Sequence, residues 1–375
     1  MSENTQPGVW VAPWLVYTPA GADARALAGA NGTTGEEGVR LFRELLGTTP
    51  RPLAHNRLAL TYQLRGQLKE AEREYREALK LDPRNLYALN NLGSVLLNQG
   101  RVAGALSLLR RAIEVDESYA PSHNNLGNAY LNLGRADHAL AAYERAALLN
   151  EGYAMPHRNL ALALHLLGRR DEAVEEYRTY FSLAPAGTKD ADAHFNLGVM
   201  LEEKGSAGEA VEEYGLALAD DPRHAKALNN LGLVHFSRGE VDDALEFYRR
   251  ALEADEGFVL ARYNLGLALA ARGEFAAAAE EFGRVLALAP DNVQAASNLG
   301  VLFTTLGRFD DAVEILERLV AAGPSQPTLR FNLALAYRGK GLSEKADAEL
   351  REVIELEPPG SARAERARRE MASAL

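Results

Sequence analysis

Asn124-Asn125-Leu126-Gly127-Asn128-Ala129-Tyr130, followed by Gly134, Ala139 and Tyr143, is the stretch on which the reading of this 375-residue chain turns. Its leucine recurs at Leu58, Leu92, Leu126, Leu160, Leu197, Leu231, Leu265, Leu299 and Leu333, at intervals of 34 residues with one of 37. The next residue is always Gly or Ala, as in Gly93, Gly127 and Ala161. Seven residues further on, Gly returns in all nine units, from Gly66 to Gly341. Ala follows five later, from Ala71 to Ala346, and Tyr, Phe or Leu four after that, as in Tyr75, Tyr143, Tyr177, Tyr214, Tyr248 and Phe282. Pro83, Pro185, Pro222, Pro290, Pro324 and Pro358 close six units.

Each recurring residue has a physical reason. The distance between two packed helices depends on the side chains at the contact, so the small residues mark close approach. Leu, the small residue and the aromatic stand at helical spacing and form an apolar stripe. The inner Gly supplies the left-handed backbone that ends a first helix. Pro sits where the second helix cannot continue. Each unit is therefore predicted to be two antiparallel helices of about a dozen residues joined by a tight turn.

This pattern resembles the tetratricopeptide repeat (TPR) family over roughly residues 51–358. The family's usual Trp early in the first helix is missing; Leu89, His123 and Leu228 stand there. The resemblance implies an all-α, right-handed superhelical solenoid of helix–turn–helix units, with first helices on the concave side. The expected organisation is a non-repeat segment at 1–35, a half-repeat (second helix only) at 36–50, repeats one to four at 51–185, a loop insertion at 186–188, repeats five to nine at 189–358, and a C-terminal capping helix at 359–375. The half-repeat rests on a gapless match in which Gly38 falls on Ala71, Phe42 on Tyr75 and Leu45 on Ala78. Terminal repeats need such solvating caps. The insertion near Pro185, with bulky Tyr180 beside it, reads as a seam or as a tolerated surface loop.

The residue before the repeated Leu is Asn in eight of nine units: Asn91, Asn125, Asn159, Asn196, Asn230, Asn264, Asn298 and Asn332, with Arg57 the exception. Asn is a poor helix-interior residue, because its amide competes for backbone hydrogen bonds. One explanation is a ladder that binds the N–H and C=O groups of an extended peptide, since each amide both donates and accepts. This is similar to the asparagine ladder in the TPR superhelix of O-linked N-acetylglucosamine transferases. The other is that each Asn bonds the neighbouring helix. Five or six net hydrogen bonds supply ~3–8 kcal/mol before ordering costs, whereas a Kd of 1 μM needs about 8 kcal/mol. Specificity must then come from flanking positions. Apolar partner side chains are expected to dock around Phe195, Val199, Tyr263, Leu267 and Phe331, unless those residues belong to the core between repeats. TPR domains that clamp C-terminal carboxylates place Lys and Arg in the groove; here Lys226, Arg57 and Arg158 are scattered, which argues against that activity.

Composition excludes much else. The chain has no Cys, hence no disulfide, thiolate metal site or cysteine nucleophile. A net charge of −11 disfavours phosphate-driven nucleic-acid binding. The acidic residues of second helices, such as Glu209, Glu212, Asp242, Asp243, Glu280 and Glu281, read as a solvated convex face or as a docking surface for a basic partner. No window is apolar enough to span a membrane, and the start lacks a signal-peptide pattern. Arg outnumbers Lys 34 to 7, pointing to a GC-rich bacterial source. His55, His123, His157 and His194 share one repeat position, but equivalent positions lie a helix pair apart and zinc–nitrogen bonds are about 2 Å, so no metal site is expected. No nucleophile elbow, Walker loop, His-Glu-x-x-His or dinucleotide fingerprint is present, and no catalytic residue or cofactor is assigned.

Residues 8–17 carry both tryptophans, Trp10 and Trp14, with Tyr17 close behind. Exposed Trp on a tail is unfavourable, so this segment is expected to be buried. It either caps the half-repeat or acts as an extended ligand segment for its own groove, another copy or another subunit, and Pro13 suits extended backbone. The expected function is a cytoplasmic scaffold or adaptor that binds a protein or peptide partner. The alternatives are a self-assembling homo-oligomer bridged by the Trp segment, and a non-catalytic TPR subunit of a glycosyltransferase or other modifying enzyme.

Overall fold

The structure, a computed structural model, describes residues 39, 40, 43, 52–323, 326–358 and 360–372. Trp10, Trp14, Tyr17 and most of the half-repeat lie outside the described residues. Nineteen helices and no strand are present among the described residues. The first helices are α1 Pro52–Leu64, α3 Leu86–Asn98, α5 Ala120–Asn132, α7 Ala154–Leu166, α9 Ala191–Glu203, α11 Ala225–Ser237, α13 Val259–Ala271, α15 Val293–Thr305 and α17 Pro327–Gly339. The second helices are α2 Leu68–Leu81, α4 Val102–Val115, α6 Ala136–Leu149, α8 Arg170–Leu183, α10 Ala207–Asp220, α12 Val241–Ala254, α14 Phe275–Leu288, α16 Phe309–Ala322 and α18 Ser343–Leu356; α19 Ala362–Ala372 follows. None of these helices is long and apolar enough to cross a membrane. By packing the chain divides between Ala207 and Gly208 into two compact units.

The recurring residues do what their spacing predicts. Tyr75, Tyr143, Tyr177, Tyr214, Tyr248 and Phe282 are fully buried, and each second-helix Ala from Ala71 to Ala346 is closed off beneath them. The small residue after the repeated Leu makes room for that ring: a Cβ on Gly127 would sit 2.4 Å from Cε1 of Tyr143, which real contacts do not tolerate. The inner glycines all hold φ between 69° and 89°. At Gly134 the turn closes with Arg135 N–H donating to Tyr130 O at 3.0 Å and Gly134 N–H to Leu131 O at 2.9 Å, capping the end of α5.

Within each unit the first helices of successive repeats also touch: α1 meets α3, α3 meets α5 and α5 meets α7 in the first unit, while α11 meets α13 and α15 meets α17 in the second. Among the described residues the second helices of successive repeats make no comparable contact. The first helices therefore lie on the inner side of each unit's curvature.

The loop 184–190 carries the three extra residues and lies inside the first unit. It is tied down from both sides. Asp190 caps α9 by accepting from Ala193 N–H at 3.0 Å. Its carboxylate also accepts from Arg158 Nε at 2.7 Å and from the Tyr180 hydroxyl at 2.8 Å, and all three residues are buried. Tyr180 is thus the bulky residue that this buried ion pair requires.

Candidate inner-face binding site

Counting each repeat from the first residue of its first helix, the asparagine row is position 6 and its preceding neighbour position 5. The structure ties the row to the preceding repeat. Asn125 Nδ2 donates to Asn90 Oδ1, Asn159 Nδ2 to Asn124 Oδ1 and Asn264 Nδ2 to Asn229 Oδ1, each at 2.9 Å. Asn332 Nδ2 donates to Ser297 Oγ at 2.6 Å and Asn298 Nδ2 to the Tyr263 hydroxyl at 3.1 Å. Asn230 Nδ2 reaches the Tyr214 hydroxyl at 3.1 Å, and Asn91 and Asn196 face the hydroxyls of Tyr75 and Tyr177. Burial pushes the Tyr177 hydroxyl up to about 12, so it stays protonated at any ordinary pH. In the second unit the bonds run as a relay from Asn264 to Asn229, Asn230 and Tyr214.

This placement corrects the picture of an open ladder at four positions. Asn125, Asn159, Asn264 and Asn332 are buried, and each has one amide hydrogen committed to the repeat before it. A buried amide left without a partner costs about 1–3 kcal/mol, so these bonds join neighbouring repeats. Asn91, Asn196, Asn230 and Asn298 remain half-buried and keep some amide surface on the inner face.

The expected docking residues also separate. Phe331 is buried in the core of the last repeats, with the Arg366 guanidinium of α19 5.1 Å above its ring, so it is a packing residue. Tyr263 and Leu267 are half-buried; they rest on the core of the second unit and show their outer faces. Phe195 and Val199 are half-buried on α9 of the first unit. Position 9 of the second unit adds two residues that the sequence reading did not single out, Leu233 at 37% exposure and Val301 at 44%. Their signal was available, because aliphatic side chains replace the Ser94 and Asn128 of earlier repeats.

Two of the four histidines of the row contact a carboxylate within their own repeat. His55 Nδ1 lies 2.8 Å from Glu74 Oε2, and His157 Nδ1 2.6 Å from Glu176 Oε2. Arg262 with Glu281, at 2.9 Å, and Arg330 with Glu349, at 2.6 Å, repeat the arrangement with the same separation of nineteen residues. His123 bonds the Glu117 carbonyl at 2.9 Å, and His194 stacks on Phe181 with centroids 4.1 Å apart. Where position 23 is apolar, as at Leu108, Phe247 and Ile315, position 4 is Leu89, Leu228 and Ala296. In seven repeats the family's missing Trp is replaced by His, Arg, Leu or Ala at position 4 matched at position 23 by Glu or an apolar residue, in an eighth His194 faces Glu213 in sequence, and in the third repeat His123 stands opposite Ala142.

Among the described residues, His235, Glu240 and Asp243 bring three ligand-type atoms within 4.8 Å of one another. His235 Nδ1 is already bonded to Glu240 Oε2 at 2.6 Å and its ring stacks on Phe247, which accounts for the grouping as a hydrogen-bonded turn. His165, at position 12 of α7, has a buried Nδ1 without a hydrogen-bond partner. Desolvation pulls its imidazole below the ordinary value of 6.5, helped by Arg170 and opposed by Glu203.

Profiles described as tetratricopeptide repeat match residues 124–188, 209–257, 263–327 and 305–361, and a second such profile matches 84–151. A profile described as TPR repeat matches 59–100. No curated protein matches the chain. Among solved structures, the C-terminal part of a TPR repeat-containing protein from Cytophaga hutchinsonii is 18% identical over 64% of this chain and 97% of that one, with a TM-score of 0.54. Pseudomonas aeruginosa pilF is 20% identical over 56% of this chain and 95% of its own, with a TM-score of 0.51. MamA is 29% identical over 45% of this chain and 97% of that chain, with a TM-score of 0.38.

Proposed function

The chain belongs to the tetratricopeptide repeat family, and from that premise we propose that it is a non-catalytic interaction scaffold whose second unit holds an extended, apolar peptide of a protein partner along its first helices. The observation that carries this reading is the row Leu233, Leu267 and Val301, one exposed or half-exposed aliphatic at the same position of α11, α13 and α15. Tyr263 and the half-buried Asn230 and Asn298 flank it with polar groups. Of these helices α11 and α13 touch, and packed helices lie about 8–10 Å apart. A polyproline-type strand advances about 9 Å per three-residue turn. The matching ligand is an extended segment with an apolar side chain at every third residue, its backbone near the amides.

Selection of random fifteen-residue peptides against the purified chain tests this. The expected winners carry apolar residues at a three-residue period and lose binding to the Leu233→Glu, Val301→Glu variant. They bind normally to Leu216→Glu, a change at an exposed second-helix residue of the same unit. Winners indifferent to the double change, with folding intact by circular dichroism, would refute the assignment.

A further inference from the structure

Five repeats carry a buried tyrosine at position 24, and four of these rings have a first-helix amide beside the hydroxyl. Tyr75 donates to Gln63 Oε1 at 2.9 Å and Tyr143 to Asn128 Oδ1 at 2.7 Å. Tyr214 accepts from Asn230 Nδ2 at 3.1 Å, and Tyr177, without a full bond, faces the half-buried amide of Asn196. Tyr248 is the exception. It is 1% exposed, and its hydroxyl is closed off without a hydrogen-bond partner. The neighbouring sequence explains why. The residue sixteen further on, which serves Tyr214 as Asn230, is here Asn264, and its amide is turned to Asn229 Oδ1 at 2.9 Å. Asn159 is turned to Asn124 in the same way, but position 9 of that repeat is Asn128, which takes the Tyr143 hydroxyl. In repeat six position 9 is Leu233, which cannot. Burial pushes the Tyr248 hydroxyl above the ordinary tyrosine range and keeps it protonated, so it offers a proton that no neighbouring group accepts.

We propose that the Tyr248 hydroxyl is a specificity-determining contact of the second unit: it donates a hydrogen bond to a backbone carbonyl oxygen of the bound peptide where that peptide passes from Leu233 to Leu267. This rests on the reading above, that an extended apolar peptide lies along the first helices. The placement fits. Helix α12, which carries Tyr248, packs against both α11 and α13, the helices of Leu233 and Leu267. The edge of the ring rests on Gly232, the residue next to Leu233, where an added Cβ would meet Tyr248 Cε1 at 2.6 Å. Leu233 stands at the position from which Asn128 reaches Tyr143, so it is the side chain between the hydroxyl and the inner face. It is 37% exposed, and exposed side chains change rotamer within nanoseconds, so a ligand can turn it aside. An apolar strip alone does not set the register of a peptide. A buried donor does: a segment that brings a carbonyl to it makes the missing bond, and one that brings a methylene leaves the hydroxyl unpaired. The ligand is thus an extended segment with apolar side chains three apart and a carbonyl acceptor between the pair seated on Leu233 and Leu267.

The test uses the full chain and the peptides selected above. Tyr248→Phe removes the hydroxyl and keeps the ring. The free variant should melt at the wild-type temperature or higher, because no bond inside the protein is lost. Its affinity for the selected peptides should fall roughly three- to tenfold. Peptide bonds of one selected sequence are then replaced by esters, one at a time, which weakens each carbonyl as an acceptor. One position should lose affinity for the wild type and lose little further in Tyr248→Phe. Tyr143→Phe is the control: its hydroxyl is bonded to Asn128, so this variant should melt lower and bind normally. A clearly lower melting temperature for Tyr248→Phe would overturn the inference, since the hydroxyl would then be bonded within the protein. Undiminished affinity, or an ester scan with the same losses on both proteins, would overturn it as well. Peptides that ignore the Leu233→Glu, Val301→Glu change refute the binding reading instead, so the two failures are told apart.

Discussion

Asn264 shows what a single residue does in this array. Its amide hydrogen is 2.9 Å from Asn229 Oδ1, two repeats are linked by that bond, and its side chain is buried. Asn264→Ala should lower stability by about 1–2 kcal/mol in urea denaturation, because the Asn229 carbonyl loses a partner inside the protein. Unchanged stability with lost peptide binding would instead put Asn264 in an open ladder. His165 gives a pH signature. Its folded-state value is depressed by desolvation, so below about 6.5 the unfolded chain takes up a proton that the folded chain resists. Stability from this residue is therefore full above that range and falls as pH drops through it. Comparing melting at pH 8 and pH 5, the wild type should lose more than His165→Leu; equal losses would show that the imidazole is not held neutral.

At the scale of the helix pair, the chain contains two solutions to one packing problem. Positions 4 and 23 hold an ion pair at Arg262–Glu281, at 2.9 Å and mostly buried, and an apolar pair at Leu228 and Phe247. Removing one partner of a buried pair costs about 3–5 kcal/mol, whereas replacing both by apolar groups is often neutral. Arg262→Leu should therefore destabilise the chain strongly, and Arg262→Leu with Glu281→Leu should recover most of the loss. A loss in the double variant equal to the sum of the Arg262→Leu and Glu281→Leu losses would show that the pair is not coupled. The helix pair was the most legible level in the sequence. The Gly that ends each first helix, the Ala beneath each ring and the small residue facing it are local requirements, and a 34-residue period exposes local requirements. The destination of the asparagine amides was less legible. Asn125 finds Asn90 thirty-five residues back, across a repeat boundary, and one sequence offers both that partner and a peptide as acceptors. Phe331 misled for the same reason: its cover, Arg366, comes from α19, which follows the last repeat. The covariation of positions 4 and 23 was readable in the sequence, but only once α1 and α2 are known to place His55 against Glu74.

For each unit as a body, the account turns on which side stays available. The inner face of the second unit presents Leu233, Leu267 and Val301 over a floor of bonded amides, while its second helices carry isolated exposed residues such as Leu216. Apolar residues scattered singly on a surface are ordinary, whereas a row at one repeat position is a continuous strip. The most direct measurement places a photoreactive phenylalanine at position 301 or at position 216 in the full chain, in the cells that make it, and sequences the adducts after irradiation. The account predicts that position 301 captures a defined partner through an extended segment with apolar residues three apart, and that position 216 does not. Capture of the same partner from position 216, with none from position 301, would contradict it.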